Sequence, residues 1–180
     1  MAGMIETVNI ALSVGTIALQ VCIVVAAVML FLKKPQRLLA WLGARGVVFA
    51  YLLSFAGMLF SLFYSEVAGY APCVLCWYQR IFMYPLVFIL ALALYRNDRS
   101  ILPYAKLLAS VGLLIGLYQI LLPVLPGASA TCTFAGASAV SCLDQYFIAL
   151  GYITIPVMSF TSWIALVGVL HLASRYVPSK

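Results

Sequence analysis

The sequence is poor in charge. Of its 180 residues only four are acidic and ten basic, 8% in all, against 66% hydrophobic. A soluble domain cannot hide that much apolar surface, so the chain reads as one polytopic membrane unit with no separate soluble domain. The net charge of +6 is not read as a nucleic-acid footprint, because its distribution fits membrane orientation better. Histidine is reduced to His171 alone, near the end of the last apolar run and far from the cysteines. There is no haem-attachment motif, no Gly-rich dinucleotide fingerprint and no set of iron–sulfur ligands. Internal repeats are absent too. If this chain handles electrons, it does so through sulfur, and the electrons leave to a group that reaches it from outside.

What is there begins with apolar runs. Val8–Leu32 is a 25-residue stretch without charge, long enough to span with tilt. No basic region precedes it, so it is not read as a signal peptide. Further spans are predicted at Gly46–Tyr64, at Trp77–Tyr95 with a kink at Pro85, from Ile101 or Leu107 to Pro123, and from Tyr146 or Gly151 to His171 with Pro156 inside. Five spans with the N-terminus outside place Lys33, Lys34, Arg37, Arg45, Arg96, Arg99, Lys106, Arg175 and Lys180 in the cytoplasm, nine of the ten basic residues. The tenth is Arg80. Glu6, Glu66 and Asp144 then fall outside. The one long loop, Pro123 to Gln145, is rich in small residues, and its length and near-neutrality predict that it lies along the membrane surface.

Five cysteines divide into Cys73/Cys76, Cys132/Cys142 and a lone Cys22 read as a small buried apolar residue. Both pairs fall on the extracytoplasmic side, where disulfides persist. Cys73 and Cys76 follow Pro72 at the start of an apolar span. A thiol at a helix N-terminus feels the positive end of the dipole, which favours thiolate. Arg80 stands four residues after Cys76 and shares its helix face, about 6 Å along the axis. An intramembrane cation beside a thiol points to function, although an arginine this close to the interface also snorkels easily. Two pairs outside suggest two disulfides that exchange: a short Cys-x-x-Cys ring for reversible chemistry, a looser pair for contact with a partner protein. Static staples are the alternative, weakened for Cys73/Cys76 because a four-residue ring constrains little unfolded-state entropy. Zinc is a further alternative, but the second pair has atypical ligand spacing and no metal is expected. A lipid-soluble two-electron acceptor, a quinone, could reach Cys76 and Arg80 directly from the bilayer.

The run Cys73-Val74-Leu75-Cys76-Trp77-Tyr78-Gln79-Arg80, with Val140-Ser141-Cys142 and Tyr152-Ile153-Thr154-Ile155-Pro156 later, resembles the DsbB/BdbC family of membrane thiol–disulfide oxidoreductases, most of all its BdbC-like branch. The resemblance covers roughly Leu38 to Leu172. It implies an all-α four-helix transmembrane bundle at residues 38–180, with residues 1–37 an extra N-terminal transmembrane helix and basic loop. It implies an enzyme of the bacterial cytoplasmic membrane that reoxidises a thioredoxin-like DsbA/BdbD-type thiol oxidase and passes electrons to ubiquinone or menaquinone. On that pattern Cys132 and Cys142 face the partner, with Cys132 the site of attack, and Cys73 exchanges with them. Cys76 is the quinone-side thiolate, and Arg80 stabilises quinone or thiolate. Gln119 stands where family members often carry a histidine near the quinone, and its amide could donate to a carbonyl. Two other readings are a vitamin K epoxide reductase-like enzyme, disfavoured by the order of the pairs, and a non-enzymatic scaffold with stapled loops.

Overall fold

Five helices among the described residues are long and apolar enough to cross a bilayer, as the apolar runs predict. The computed structural model describes residues 2–32, 36–125 and 141–175. In order, α1 is Ala2–Phe31, α2 Gln36–Ala44, α3 Gly46–Leu62, α4 Val74–Arg96, α5 Leu102–Leu121 and α6 Ile155–Arg175. A π-helical turn, Phe63–Val67, extends α3, and a short 3-10 turn, Leu122–Val124, extends α5. No strand occurs among the described residues; Ala149 and Ile153 form an isolated bridge in the loop before α6.

Two elements differ from the sequence expectation, each for a local reason. The basic stretch after α1 contains a further short helix, α2, which packs against α6 and α3. The last helix starts at Ile155, because Leu150 and Gly151 turn the chain with φ of 52° and 85°. Pro156 therefore sits in the first helical turn, where its missing N–H breaks no bond. α4 runs through Pro85 to Arg96, next to the expected end at Tyr95, and closes on a left-handed Asn97.

The bundle is a ring: α3 packs on α4, α4 on α5, α5 on α6, and α6 back on α3. Lipid tails are as apolar as leucine, so these contacts rest on close approach and polar links more than on a hydrophobic drive. Small residues supply the close approach. Ala105, Ala109, Gly112 and Gly116 form a buried stripe on α5, and the fully buried indole of Trp163 on α6 lies over it. At the opposite end Gly46 meets Ala173 and Val169 of α6 so closely that a Cβ there would lie 2.6 Å from Ala173 Cβ.

α1 stands outside the ring and packs along α6. Its polar residues explain how. Asn9, Ser13, Thr16 and Gln20 recur at helical spacing on one face. Ser13 and Thr16 are buried and bond back to the carbonyls of Asn9 and Leu12. Asn9 accepts from Tyr64 Oη at 2.9 Å. Gln20 donates to Thr161 Oγ1 at 3.1 Å and accepts from Tyr152 Oη at 2.7 Å. Such interhelical bonds are worth on average about 0.6 kcal/mol each in a membrane, and that suffices to choose which face docks. The far face meets lipid. Cys22 lies there, exposed, and not buried as its type suggests.

Gly112→Ala places a methyl inside the Trp163 ring, so it should overpack the α5–α6 contact and cost about 1–3 kcal/mol. Gly168→Ala on α6, with nothing within 4 Å of the added carbon, should cost nothing. Thermal unfolding of the two purified variants in detergent checks the contrast.

Candidate functional site

Pro72 ends an extended segment and Cys73 caps α4 with extended backbone, φ −72° and ψ 170°. The first helical bond runs from Trp77 N–H to Cys73 O at 3.1 Å. One turn of helix then brings Cys76 back under Cys73, with the two sulfurs 3.3 Å apart. Cys73 is buried and Cys76 half-buried. The Cys73 thiol is pushed well above the ordinary range, first by the hydrogen bond it makes to Cys76 and then by burial. It therefore holds its proton when the pair is reduced.

The second pair is half visible. Cys142 is buried with Cys73 and Leu122 in one small packed cluster. Two cysteines that the sequence separates by a long loop thus meet at the end of the bundle. Cys132 lies outside the described residues.

A row of stacked rings holds the near end of that loop. Tyr146 lies face to face with Tyr70, centroids 4.4 Å apart, and Tyr70 stacks on Tyr64 at 5.7 Å. The Tyr146 hydroxyl donates to Ala71 O at 2.9 Å, two residues before Cys73. Each ring pair adds about 0.5–1.5 kcal/mol beyond area burial, which is enough to fix the loop against the helix ends.

Beneath the thiols runs a chain of buried amides. Gln119 Nε2 donates toward both sulfurs, 3.6 Å from Cys73 and 3.5 Å from Cys76. Its Oε1 accepts from Gln79 Nε2 at 2.5 Å. Gln79 Oε1 in turn accepts from Trp163 Nε1 at 2.9 Å and from Ser159 Oγ. Gln119 thus serves the thiols directly. Gln79, Ser159 and Trp163 escaped the sequence reading. The available signal was Gln79 itself, an amide inside an apolar span, where polar groups seek a partner.

Arg80 does not reach outward alone. Its Nε–H and Nη2–H bond Ser61 Oγ at 2.9 Å and Ser61 O at 3.0 Å, tying α4 to α3. Its guanidinium also lies 5.2 Å from the Trp77 ring centroid. Nη1 has no hydrogen-bond partner among the described residues. Cys76, Arg80 and Gln119 all line a cavity of about 300 Å³ between α1, α3, α4 and α6, closed above by the loop around Tyr146. Its walls are mainly apolar. Among the described residues no group of three metal-ligating side chains converges.

If the two amides act as one unit, Gln79→Leu and Gln119→Leu should each cost about 1–3 kcal/mol, because each leaves a buried group without its partner. The double variant should cost less than their sum, with a coupling of about 0.5–3 kcal/mol. Additive losses in thermal unfolding would separate the two residues.

Residues 43–173 match the family described as disulfide bond formation protein DsbB. The probable disulfide formation protein C 2 of Bacillus anthracis is 38% identical over 126 residues, 70% of this chain and 88% of that protein. The SPbeta prophage-derived disulfide bond formation protein B of Bacillus subtilis is 39% identical over 119 residues, 66% and 78% of the two chains. A probable disulfide formation protein of Chlamydia trachomatis reaches 42% over 126 residues, 70% and 90%. No solved structure gives a significant match. The matched segment holds both cysteine pairs, Arg80 and the amide chain, and the chain belongs to the DsbB family of membrane disulfide bond formation proteins.

Proposed function

We propose that this protein is a quinone-dependent thiol–disulfide oxidoreductase that reoxidises a thioredoxin-like dithiol oxidase outside the cytoplasmic membrane. The observation that carries the reading is the position of the Cys-x-x-Cys: Cys73 packs with Cys142, and these two sulfurs, Cys76 and Arg80 line one cavity that continues between α1 and α3. One dithiol thereby faces both a protein-side sulfur and a lipid-side space. In this reading residues 1–37 are an added helix and residues 38–180 the oxidoreductase bundle, with α2 grouped with the bundle through its packing on α6. The nine-to-one basic asymmetry supports an N-terminus outside and a cytoplasmic C-terminus.

The residues fit a quinone. A cavity near the lower end of the ligand-site range, roughly 300–1,000 Å³, accepts a ring but not a long tail. It is apolar with a few convergent donors. Arg80 brings a fixed positive charge and the Nη1 donors, and Ser61 holds them in place. When bound, a quinone supplies a sink for two electrons and two protons and leaves as quinol.

The residues carry the rest. A reduced partner thiolate attacks Cys132 of the Cys132–Cys142 disulfide, forms a mixed disulfide and expels Cys142. The second partner thiol then displaces Cys132, so the partner leaves oxidised and the loop pair reduced. Cys142 next attacks Cys73 of a Cys73–Cys76 disulfide and expels Cys76 as thiolate. Cys132 resolves the Cys142–Cys73 bond, which restores the loop disulfide and leaves Cys73 as a thiol. Gln119 donates to both sulfurs and stabilises the charge on Cys76 as it is expelled. With a quinone held in the cavity by Arg80, the reduced pair would close to a disulfide, and its two electrons and two protons would leave with the quinol.

Purified protein with a quinone and a reduced Cys-x-x-Cys partner should form quinol. Arg80→Met should lower that turnover at least tenfold, equivalent to about 1.4 kcal/mol of lost transition-state stabilisation, with a raised quinone KM. Arg80→Lys keeps the charge but loses the forked hold on Ser61 and should fall between the two. No quinol from the unaltered protein would overturn the reading.

In Cys142→Ser mixed with the oxidised partner, the free Cys132 thiolate should displace one partner sulfur and trap a mixed disulfide, seen on paired non-reducing and reducing gels. An adduct that accumulates in Cys132→Ser instead would reverse the two roles.

A further inference from the structure

α1 lies outside the matched segment 43–173, yet it forms one wall of the site. Leu12, Gly15, Thr16 and Leu19 line the cavity that Cys76 and Arg80 share. This is a second use of the helix. The polar stripe from Asn9 to Gln20 docks it, and the residues beside that stripe look into the cavity. Without α1 that side of the cavity would open to acyl chains.

The geometry of the opening is specific. α1 packs along α6 and reaches the extended end of α3 through the Asn9–Tyr64 bond. The cavity therefore has tight packing on its α6 side, and between α1 and α3 its lining sets small residues, Gly15 and Ala56, among larger ones, Leu12, Leu19, Leu53 and Phe60, with Gly57 against Met83. A carbon added at Gly15 would meet nothing within 4 Å, so the space beside it is vacant. Gly15 is itself exposed, at the rim. A cavity of about 300 Å³ holds a quinone ring but leaves an isoprenoid tail to go elsewhere.

We infer that α1 completes the acceptor site, and that the gap between α1 and α3 at Gly15 is the lateral passage through which the acceptor's isoprenoid tail runs to the bilayer. This rests on the quinone reading above and adds a residue that sets which tails pass. Gly15 acts on the tail and takes no part in the sulfur chemistry. A large side chain at position 15 should obstruct long tails more than short ones. It should not harm the helix, since leucine and phenylalanine are both better helix formers than glycine.

The test compares the unaltered protein with Gly15→Leu and Gly15→Phe, and with Gly3→Phe as a control, because Gly3 is equally open but away from the cavity. Two quinones of the same ring are used, one with a single isoprene unit and one with eight. The ratio of KM values, long tail over short tail, should rise at least tenfold in Gly15→Phe, less in Gly15→Leu, and not at all in Gly3→Phe. A binding readout runs beside it. Long-tailed quinone should raise the Tm of the unaltered protein, and that shift should shrink in Gly15→Phe, while the short-tailed quinone still gives its shift. A KM ratio and Tm shifts that stay as in the unaltered protein would overturn the passage, as would equal losses for both tails. Quinol formation by the unaltered protein keeps the two readings apart: if it is present, a failure belongs to the passage alone. If it is absent, the quinone reading falls first and the passage with it.

Discussion

The hydrogen bond between Gln79 and Gln119 decides how the bundle is put together. In lipid a buried amide finds no water, so it must find protein. Gln79 offers its oxygen to Trp163 and Ser159 on α6 and its nitrogen to Gln119 on α5. Three helices are thereby fixed in rotation about their axes. Turning α5 by one residue would swing Gln119 about 100° away. The amide nitrogen left over at the end of the chain is the one that meets the two sulfurs. Packing and chemistry are set by the same contact.

The other helices are joined by the same device. Arg80 clamps α4 to α3 through Ser61, and α1 is held by Asn9 and Gln20. Where polar links fix orientation, small residues allow approach: the α5 stripe under Trp163 and Gly46 under Ala173 bring backbones close enough for those links to form. The cavity survives between α1, α3, α4 and α6 because no comparable close contact fills it there.

The sequence revealed the spans because charge bounds them, and it revealed Cys73, Cys76 and Arg80 because they are rare types in an apolar setting. It hid what depends on direction. Tyr146–Thr154 is as apolar as a helix, so only the Leu150–Gly151 turn and a proline suited to a first turn separate the loop from α6. Gln79 reads as a passenger between Tyr78 and Arg80 until α5 and α6 are placed beside it. Residue type points Cys22 to the interior, whereas the Asn9-Ser13-Thr16-Gln20 periodicity puts the interior on another face of α1. The meeting of Cys142 with Cys73 depends on a loop whose path has no sequence periodicity.

The anchoring of α1 also has a consequence for biogenesis. Gln20 finds Tyr152 and Thr161 across 132 and 141 residues of chain. α1 is made before α6, which carries Thr161. Ser13 and Thr16 bond within α1 and Asn9 needs only Tyr64, but Gln20 is in the membrane without its final partners until Tyr152 and Thr161 are made, so α1 inserts early and docks fully only late. A translation product that stops before Tyr152 would hold α1 only through Asn9 and Tyr64 and leave Gln20 without its partners in the bilayer.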